Sequence, residues 1–490
     1  MRAGSGTAGE GAAGTRWRRL HVGAVALVGL AASSVCALCV SSTQTAGARR
    51  LLGSWWTWTE AAAPWQREPR SFVAGGLVVS VSVLVLSCAW LTGTLLLMRD
   101  RLSGPWAAGV AALFAAPFAL LPPALSQDAY AYLAQGAVAG SAGGSPYRPP
   151  SVVLHAASPL LQAVDPLYRA RSAPYGPLAL RLFEACLHLA GGQGVIALIW
   201  LRGLVVLSVA ICAVCAYHLA DVEHRWVAVW LVAGSPLVAL HLVGGLHVDA
   251  FLAALVAVAL LLHAKGFTAC GAALSVAAAE VKVTALVVLA GLLLNSWTRA
   301  GWRVLGRDLA AALSAGLLLT GLLQPAPFGW IAGLPATLTV WNPISLPSVV
   351  GMAWAEVSGT SPLASQGLLR AVFLVMGLLL AAVACFTHRG RAPAATVGLL
   401  LATVTLTGPV IWPWYFVPGA MCLFMAGRWG VVVGTALSVG AALSGLPMPT
   451  VQMQRVSVVS ALSVLAVCVA VLLRWMRSDR KSSPRPSLTA

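Results

Sequence analysis

A chain of 490 residues that is 59% hydrophobic and 9% charged, with apolar runs repeatedly near the roughly 20 residues a helix needs to cross hydrocarbon, is not a soluble globular protein. Its +17 net charge comes mostly from Arg, with Lys only at Lys265, Lys282 and Lys481; in a membrane protein such an excess sets orientation, which argues against nucleic acid as a partner. The runs are continuous in Leu, Val and Ala without period-two alternation, so an all-α polytopic membrane protein is expected and a β-barrel is excluded.

Along the chain, Arg16, Arg18 and Arg19 precede an apolar run over 20–41 that is long for a signal peptide and reads as an uncleaved signal anchor, although Ser34–Ala37 offers small residues for cleavage. Trp55, Trp56, Trp58 and Trp65 then predict an interfacial helix or an aromatic belt. Further spans are predicted at 72–98, 106–124, 194–217, 226–245, 250–264, 266–280, 283–296, 309–324, 367–385, 394–408, 415–427, 430–446 and 455–473. That makes about 14 transmembrane helices. They form one transmembrane domain over 1–476, followed by a basic, disordered cytoplasmic tail over 477–490.

The positive-inside rule puts both termini in the cytoplasm of a multi-pass plasma-membrane protein. Arg99/Arg101, His224/Arg225, Lys265, Arg299/Arg303/Arg307, Arg389/Arg391 and the tail from Arg474 to Arg485 fall on the inner side, against Arg49, Arg50, Arg67 and Arg70 in the first outer loop. Two outer segments are long, 125–193 and 325–366, and the chemistry is expected there. The Cys residues, such as Cys36, Cys88, Cys270 and Cys468, sit in apolar runs as small hydrophobes, and the spacing of Cys212 and Cys215 lies mid-span without a turn.

The first outer segment opens on Gln127 and Asp128, followed by Tyr130, Tyr132 and Gln135. An acid at membrane depth is a functional candidate by default, and Asp128 is expected to be the catalytic base. The bland alternative is that Ser126 and Asp128 only cap a helix. A turn holding Tyr147 and Arg148 follows, then Asp165–Tyr168 and the rigid Pro-Tyr-Gly-Pro stretch around Tyr175, which offer stacking surfaces or hydroxyl donors. Arg181 and Glu184, one turn apart, are expected to pair.

His247 and Asp249 end a span on the outer side, where they bind substrate, bind a metal or pair locally; two ligands alone do not define a metal site. Lys282, beside Glu280, is the candidate for a lipid phosphate, with Arg202 as a second. Trp412, Trp414 and Tyr415 lie where prolines break a late span, and serve anchoring or substrate stacking.

Six of these pieces in order, Asp128–Gly136, Ser145–Tyr147, Ala173–Pro177, Gly245–Asp249, Val281–Thr284 and Trp412–Tyr415, resemble the polyprenol-phosphomannose-dependent α-1,6-mannosyltransferases of actinobacterial membranes, within the GT-C superfamily. The resemblance covers 128–415, more than half of the chain. It implies a GT-C-type bundle with outer-face loop helices, a polyprenyl-phosphate mannose donor and a lipid-linked mannan acceptor of the lipomannan type, joined by an α-1,6 linkage on the outer leaflet. Two positions depart from the family pattern. Gln127 stands where an Arg is usual, removing a cation beside the acid, and Val248 stands where an Asn is usual.

No cofactor is required by this reading, and a divalent cation is left open. Membrane lipids are the remaining partners. The rival functions are a transferase of another polyprenyl-phosphate sugar such as arabinose, a lipid or glycan flippase, and a non-catalytic scaffold binding cell-wall lipids.

Overall fold

The computed structural model describes residues 7–41, 44–61, 69–99, 102–141, 145–323, 326, 328–331, 333, 345–388 and 392–444. Helices and turns make up these residues, with no strand among them, and the protein is an all-α polytopic membrane protein. The predicted span 455–473, the tail over 477–490, Trp65, Gly144 and the basic residues Arg67, Arg101, Arg389 and Arg391 lie outside the described residues.

Leu20–Ser41, Gly75–Met98, Gly194–Leu219, Val283–Leu322 and Pro362–Thr387 are long and apolar enough to cross a bilayer, and a further bent pair, Val222–Ala233 with Val238–Gly244, turns by 55°. Shorter apolar helices occupy Gly104–Leu120, Asp249–Ala264, Thr268–Ala279, Pro393–Thr407 and Arg428–Ser444. The long element Leu286–Leu322 is two arms. Its backbone leaves helical geometry at Gly301, with φ 78°. Asp308 Oδ2 accepts from Ser296 Oγ at 2.6 Å, whereas a straight helix would hold these residues about 18 Å apart. The chain therefore folds back, as the two separate predicted spans 283–296 and 309–324 require.

Asp308 is fully buried and also accepts from Thr268 Oγ1 and from Arg307, so the turn is closed by a satisfied carboxylate. In the core, Trp90 and Trp230 each donate their indole N–H to the other's carbonyl, at 3.3 and 3.0 Å. This pairing locks Pro69–Met98 to Arg225–Ala233. Ser82, Ser87 and Thr94 return their hydroxyls to carbonyls four residues back, so these polar side chains need no partner from lipid.

The Trp-rich stretch forms two short helices, Ala46–Leu52 and Ser54–Ala61. Thr45 caps the first by accepting the Ala48 amide at 3.2 Å. Gly47 lies against the Gln162 carbonyl, where a Cβ would collide, so Ala46–Leu52 docks on Pro159–Ala163. The segment 125–193 thus rests on the N-terminal region through Pro159–Ala163 and the Tyr130–Gln44 hydrogen bond.

Candidate active site

Two breaks in helical chain meet to form the site. Pro122 and Pro123 cannot extend Gly104–Leu120, and Leu121 ahead of them turns extended, with φ −98° and ψ 162°. The second break is a π-helical stretch, Val238–Gly244, ending at two glycines. Ala124 N donates to Gly244 O at 2.9 Å and ties the breaks together. Leu125 and Leu246 have φ of 64° and 56°. They are the non-glycine residues in the left-handed region among those described, a conformation costing roughly 1–2 kcal/mol each. One stands just before the Asp128 segment and the other directly before His247, and strain of this kind clusters at functional sites.

Asp128 opens the helix Asp128–Ala139, and its amide donates to Ser126 Oγ at 3.1 Å, so the Ser126 hydroxyl supports the helix start while the carboxylate is left free for other contacts. Asp128 Oδ2 lies 3.4 Å from His247 Nδ1; the acid side chain is 22% exposed and the imidazole 0%. Tyr132 Oη is also 3.4 Å from His247 Nδ1, and Tyr175 donates to Tyr132 at 3.5 Å. Tyr132 stacks on Phe183, with centroids 4.6 Å apart. The other side of His247 is covered by Trp414, stacked at 3.5 Å and 14°, and Trp412 stacks on Trp414 in turn.

Burial holds the Tyr132 and Tyr175 phenols well above their usual range, reinforced for Tyr132 by the Asp128 and Asp249 carboxylates and for Tyr175 by Tyr132 and Asp128. Tyr168 is pushed up to about 12, by burial first and then by Asp128. These phenols are donors at neutral pH and not bases. The Asp128 carboxylate and the His247 imidazole are the groups in this network with lone pairs that can accept a proton.

Beside this network, Lys282 Nζ donates to Asp249 Oδ1 at 2.8 Å and sits 3.4 Å above the Tyr415 ring. Lys282 pairs with Asp249, not with its sequence neighbour Glu280. Asp249 Oδ2 is buried without a partner among the described residues. The pair lies at a cavity of about 220 Å3 whose walls include Tyr175, Thr284, Leu374, Gly377, Val404 and Tyr415. Leu374 is 55% exposed on Pro362–His388, a helix whose apolar side chains largely face outward, so the cavity wall borders the lipid-facing surface.

The site therefore gathers Asp128, Tyr132, Tyr175, His247, Asp249, Lys282, Trp412, Trp414 and Tyr415. Other candidates face elsewhere. Tyr130 is fully buried and donates to Gln44 Oε1 at 2.8 Å, which fastens the helix to the chain after the first span. Gln127 and Gln135 have buried side-chain oxygens without partners among the described residues. Tyr147 is buried, its hydroxyl has no partner among the described residues, and its ring lies against Gly329, where the segments 125–193 and 325–366 touch. Arg148 is exposed, and its amide donates to Ser145 O at 3.2 Å. Arg202 donates to the carbonyls of Ala119 and Leu121 and lies over Trp55, so it caps a helix end away from the cavity.

Arg181 and Glu184 pair at 2.6 Å. Sequence reasoning missed Gln44, the strained leucines and the cavity wall of Leu374 and Gly377, none of which carries a local signal. Among the described residues no three His, Cys, Asp or Glu side chains converge as a metal site.

Three relatives are similar over most of their length. Alpha-(1->6)-mannopyranosyltransferase A of Mycobacterium tuberculosis is 26% identical over 371 residues, 72% of this chain and 71% of that protein. A probable alpha-(1->6)-mannopyranosyltransferase of Mycolicibacterium smegmatis is 26% identical over 464 residues, 84% of this chain and 82% of the relative. Alpha-(1->6)-mannopyranosyltransferase A of Corynebacterium glutamicum is 25% identical over 332 residues, 61% and 66% respectively. No solved structure matches the chain. The family pattern described as alpha-(1->6)-mannopyranosyltransferase, N-terminal domain, matches residues 26–299, more than half of the sequence and the stretch bearing Asp128, His247, Asp249 and Lys282. This chain belongs to that alpha-(1->6)-mannopyranosyltransferase family and is a membrane-embedded mannosyltransferase.

Proposed function

We propose that the protein transfers mannose from a polyprenyl-phosphate mannose to a lipid-linked mannan on the outer leaflet, forming an α-1,6 linkage with Asp128 as the base. The observation that carries this reading is the pairing of a reachable acid with a lipid-bordered cavity headed by a lysine. Contacts run from Asp128 through His247 and Tyr132 to Tyr175, which lines the cavity with Lys282. Apolar walls suit an isoprenoid chain, and an ammonium at their polar end suits its phosphate.

In the reaction, the acceptor oxygen attacks C1 of the mannose while its proton passes to the Asp128 carboxylate. The C1–O bond to phosphate breaks, and the electron pair leaves with a phosphate already anionic, so no acid is needed on that side. A positioned base contributes about 10²–10⁴-fold. Lys282 stabilises charge developing on the departing phosphate, for which it is drawn from Asp249. A β-linked donor then yields an α product by single displacement. Both termini lie in the cytoplasm in this reading, supported by the basic inner turns.

Membranes containing the protein, given radiolabelled polyprenyl-phosphate mannose and short α-mannosides, are expected to make an α-1,6-extended product by linkage mapping. Incorporation from polyprenyl-phosphate arabinose alone would replace the donor. Donor movement across vesicles without any product would replace the reaction.

A further inference from the structure

We infer that His247 is the positioning residue of Asp128, holding one carboxylate oxygen so that the other faces the incoming hydroxyl. The inference rests on Asp128 being the base.

Three features fix the imidazole. Leu246 carries the chain through a left-handed turn and delivers the ring into the core. Gly245 leaves it room, since a Cβ there would sit 2.8 Å from the His247 ring. Trp414 lies flat on the ring at 3.5 Å and opposes its rotation. A side chain so confined, fully buried and with Nε2 unpartnered among the described residues, directs its single contact-bearing nitrogen, Nδ1, at Asp128 Oδ2 and Tyr132 Oη. A proton on Nδ1 is what lets the ring attract a carboxylate.

Asp128 Oδ1 then has no hydrogen-bond partner among the described residues, while the acid remains the exposed member of the pair. Oδ1 is the oxygen left for the acceptor proton. A carboxylate without this contact rotates about its side chain and spends less time in the productive orientation. Ground-state binding of donor and acceptor does not depend on that orientation, so the loss belongs in kcat and not in KM.

The test uses the full chain in lipid nanodiscs, with polyprenyl-phosphate mannose as donor and a short α-mannoside as acceptor. His247→Leu fills much of the ring's space without a donor and is expected to lower kcat about 10- to 100-fold, the range for losing a polar contact to a charged group, with both KM values nearly unchanged. His247→Asn keeps an N–H near Nδ1 and is expected to recover about tenfold of that loss. In an Asp128→Asn background the His247→Leu change should cost nothing further, because residues acting through one group are not additive.

Wild-type kcat in His247→Leu, an effect confined to KM, no recovery with Asn, or a full further loss in the Asp128→Asn background each overturns the inference. Should His247→Leu fail to fold, His247→Asn decides: kcat more than about 100-fold below wild type, beyond the worth of the whole contact, overturns it. An active Asp128→Asn single variant removes the base itself, and so is distinguishable from a failure of His247 alone.

Discussion

Asp128 and Asp249 border the same network, and their surroundings differ. Asp249 is 1% exposed and held by Lys282 at 2.8 Å, whereas Asp128 is more open and lies 3.4 Å from an imidazole. Asp128→Asn is therefore expected to reduce transfer by at least about 10²-fold, with the purified protein eluting as wild type in size-exclusion chromatography. Lys282→Ala has two separable effects. It leaves a buried carboxylate unpaired, a loss of about 3–5 kcal/mol seen as a lower melting temperature, and it raises KM for the donor. Replacing both partners, Lys282→Met with Asp249→Asn, is expected to restore the melting temperature but not the donor KM. Restored KM in the double variant would remove Lys282 as the phosphate contact.

The acids, the lysine and the aromatic residues were legible as types in the sequence, but their directions were not equally so. Tyr130 and Tyr132 are two residues apart on one helix, about 200° around its axis, so one faces His247 while the other turns to Gln44. Arg202, a buried cation in an apolar run, looked like a phosphate ligand. It instead satisfies carbonyls at a helix end interrupted by Pro122 and Pro123.

Among the elements, the loop carrying Tyr175 is tied to a distant turn by backbone hydrogen bonds. Gly176 N donates to Val281 O and Leu178 N to Glu280 O, each at 3.0 Å, and a Cβ on Gly176 would strike the Glu280 carbonyl. Gly176→Val is expected to undock this loop, withdrawing Tyr175 from both Tyr132 and the cavity. Activity should fall at least about tenfold with a new protease-sensitive site near 176, measured by limited proteolysis of the membranes. Unchanged cleavage and activity would mean that the contact with 280–281 does not organise the site. Prolines and glycines announced a turn here because they restrict or free φ locally. The partner of that turn, about a hundred residues later, has no local signature.

Across the whole molecule, the proposed orientation rests on the distribution of charge and can be tested at one residue. Arg148 is exposed in the segment 125–193, while Cys88, Cys270 and Cys385 are the described native thiols that are not buried. With those three replaced by Ala, Arg148→Cys in intact cells is expected to react with a membrane-impermeant maleimide. Labelling only after permeabilisation would put the segment inside and remove the outer-leaflet reading.

Hydrocarbon imposes its demand on every stretch of chain separately, a sufficient length of apolar residues with all backbone groups bonded internally, so the helical class and membrane embedding followed from sequence. The ordered motifs added the family in the same way. Which side chains meet was decided by tertiary packing. Asp128 reaches His247, and Lys282 reaches Asp249 and Tyr415, because broken helices from distant parts of the chain deliver buried polar groups to one place. Such contacts depend on where each helix ends and which way it turns in three dimensions, which no local pattern of residues encodes.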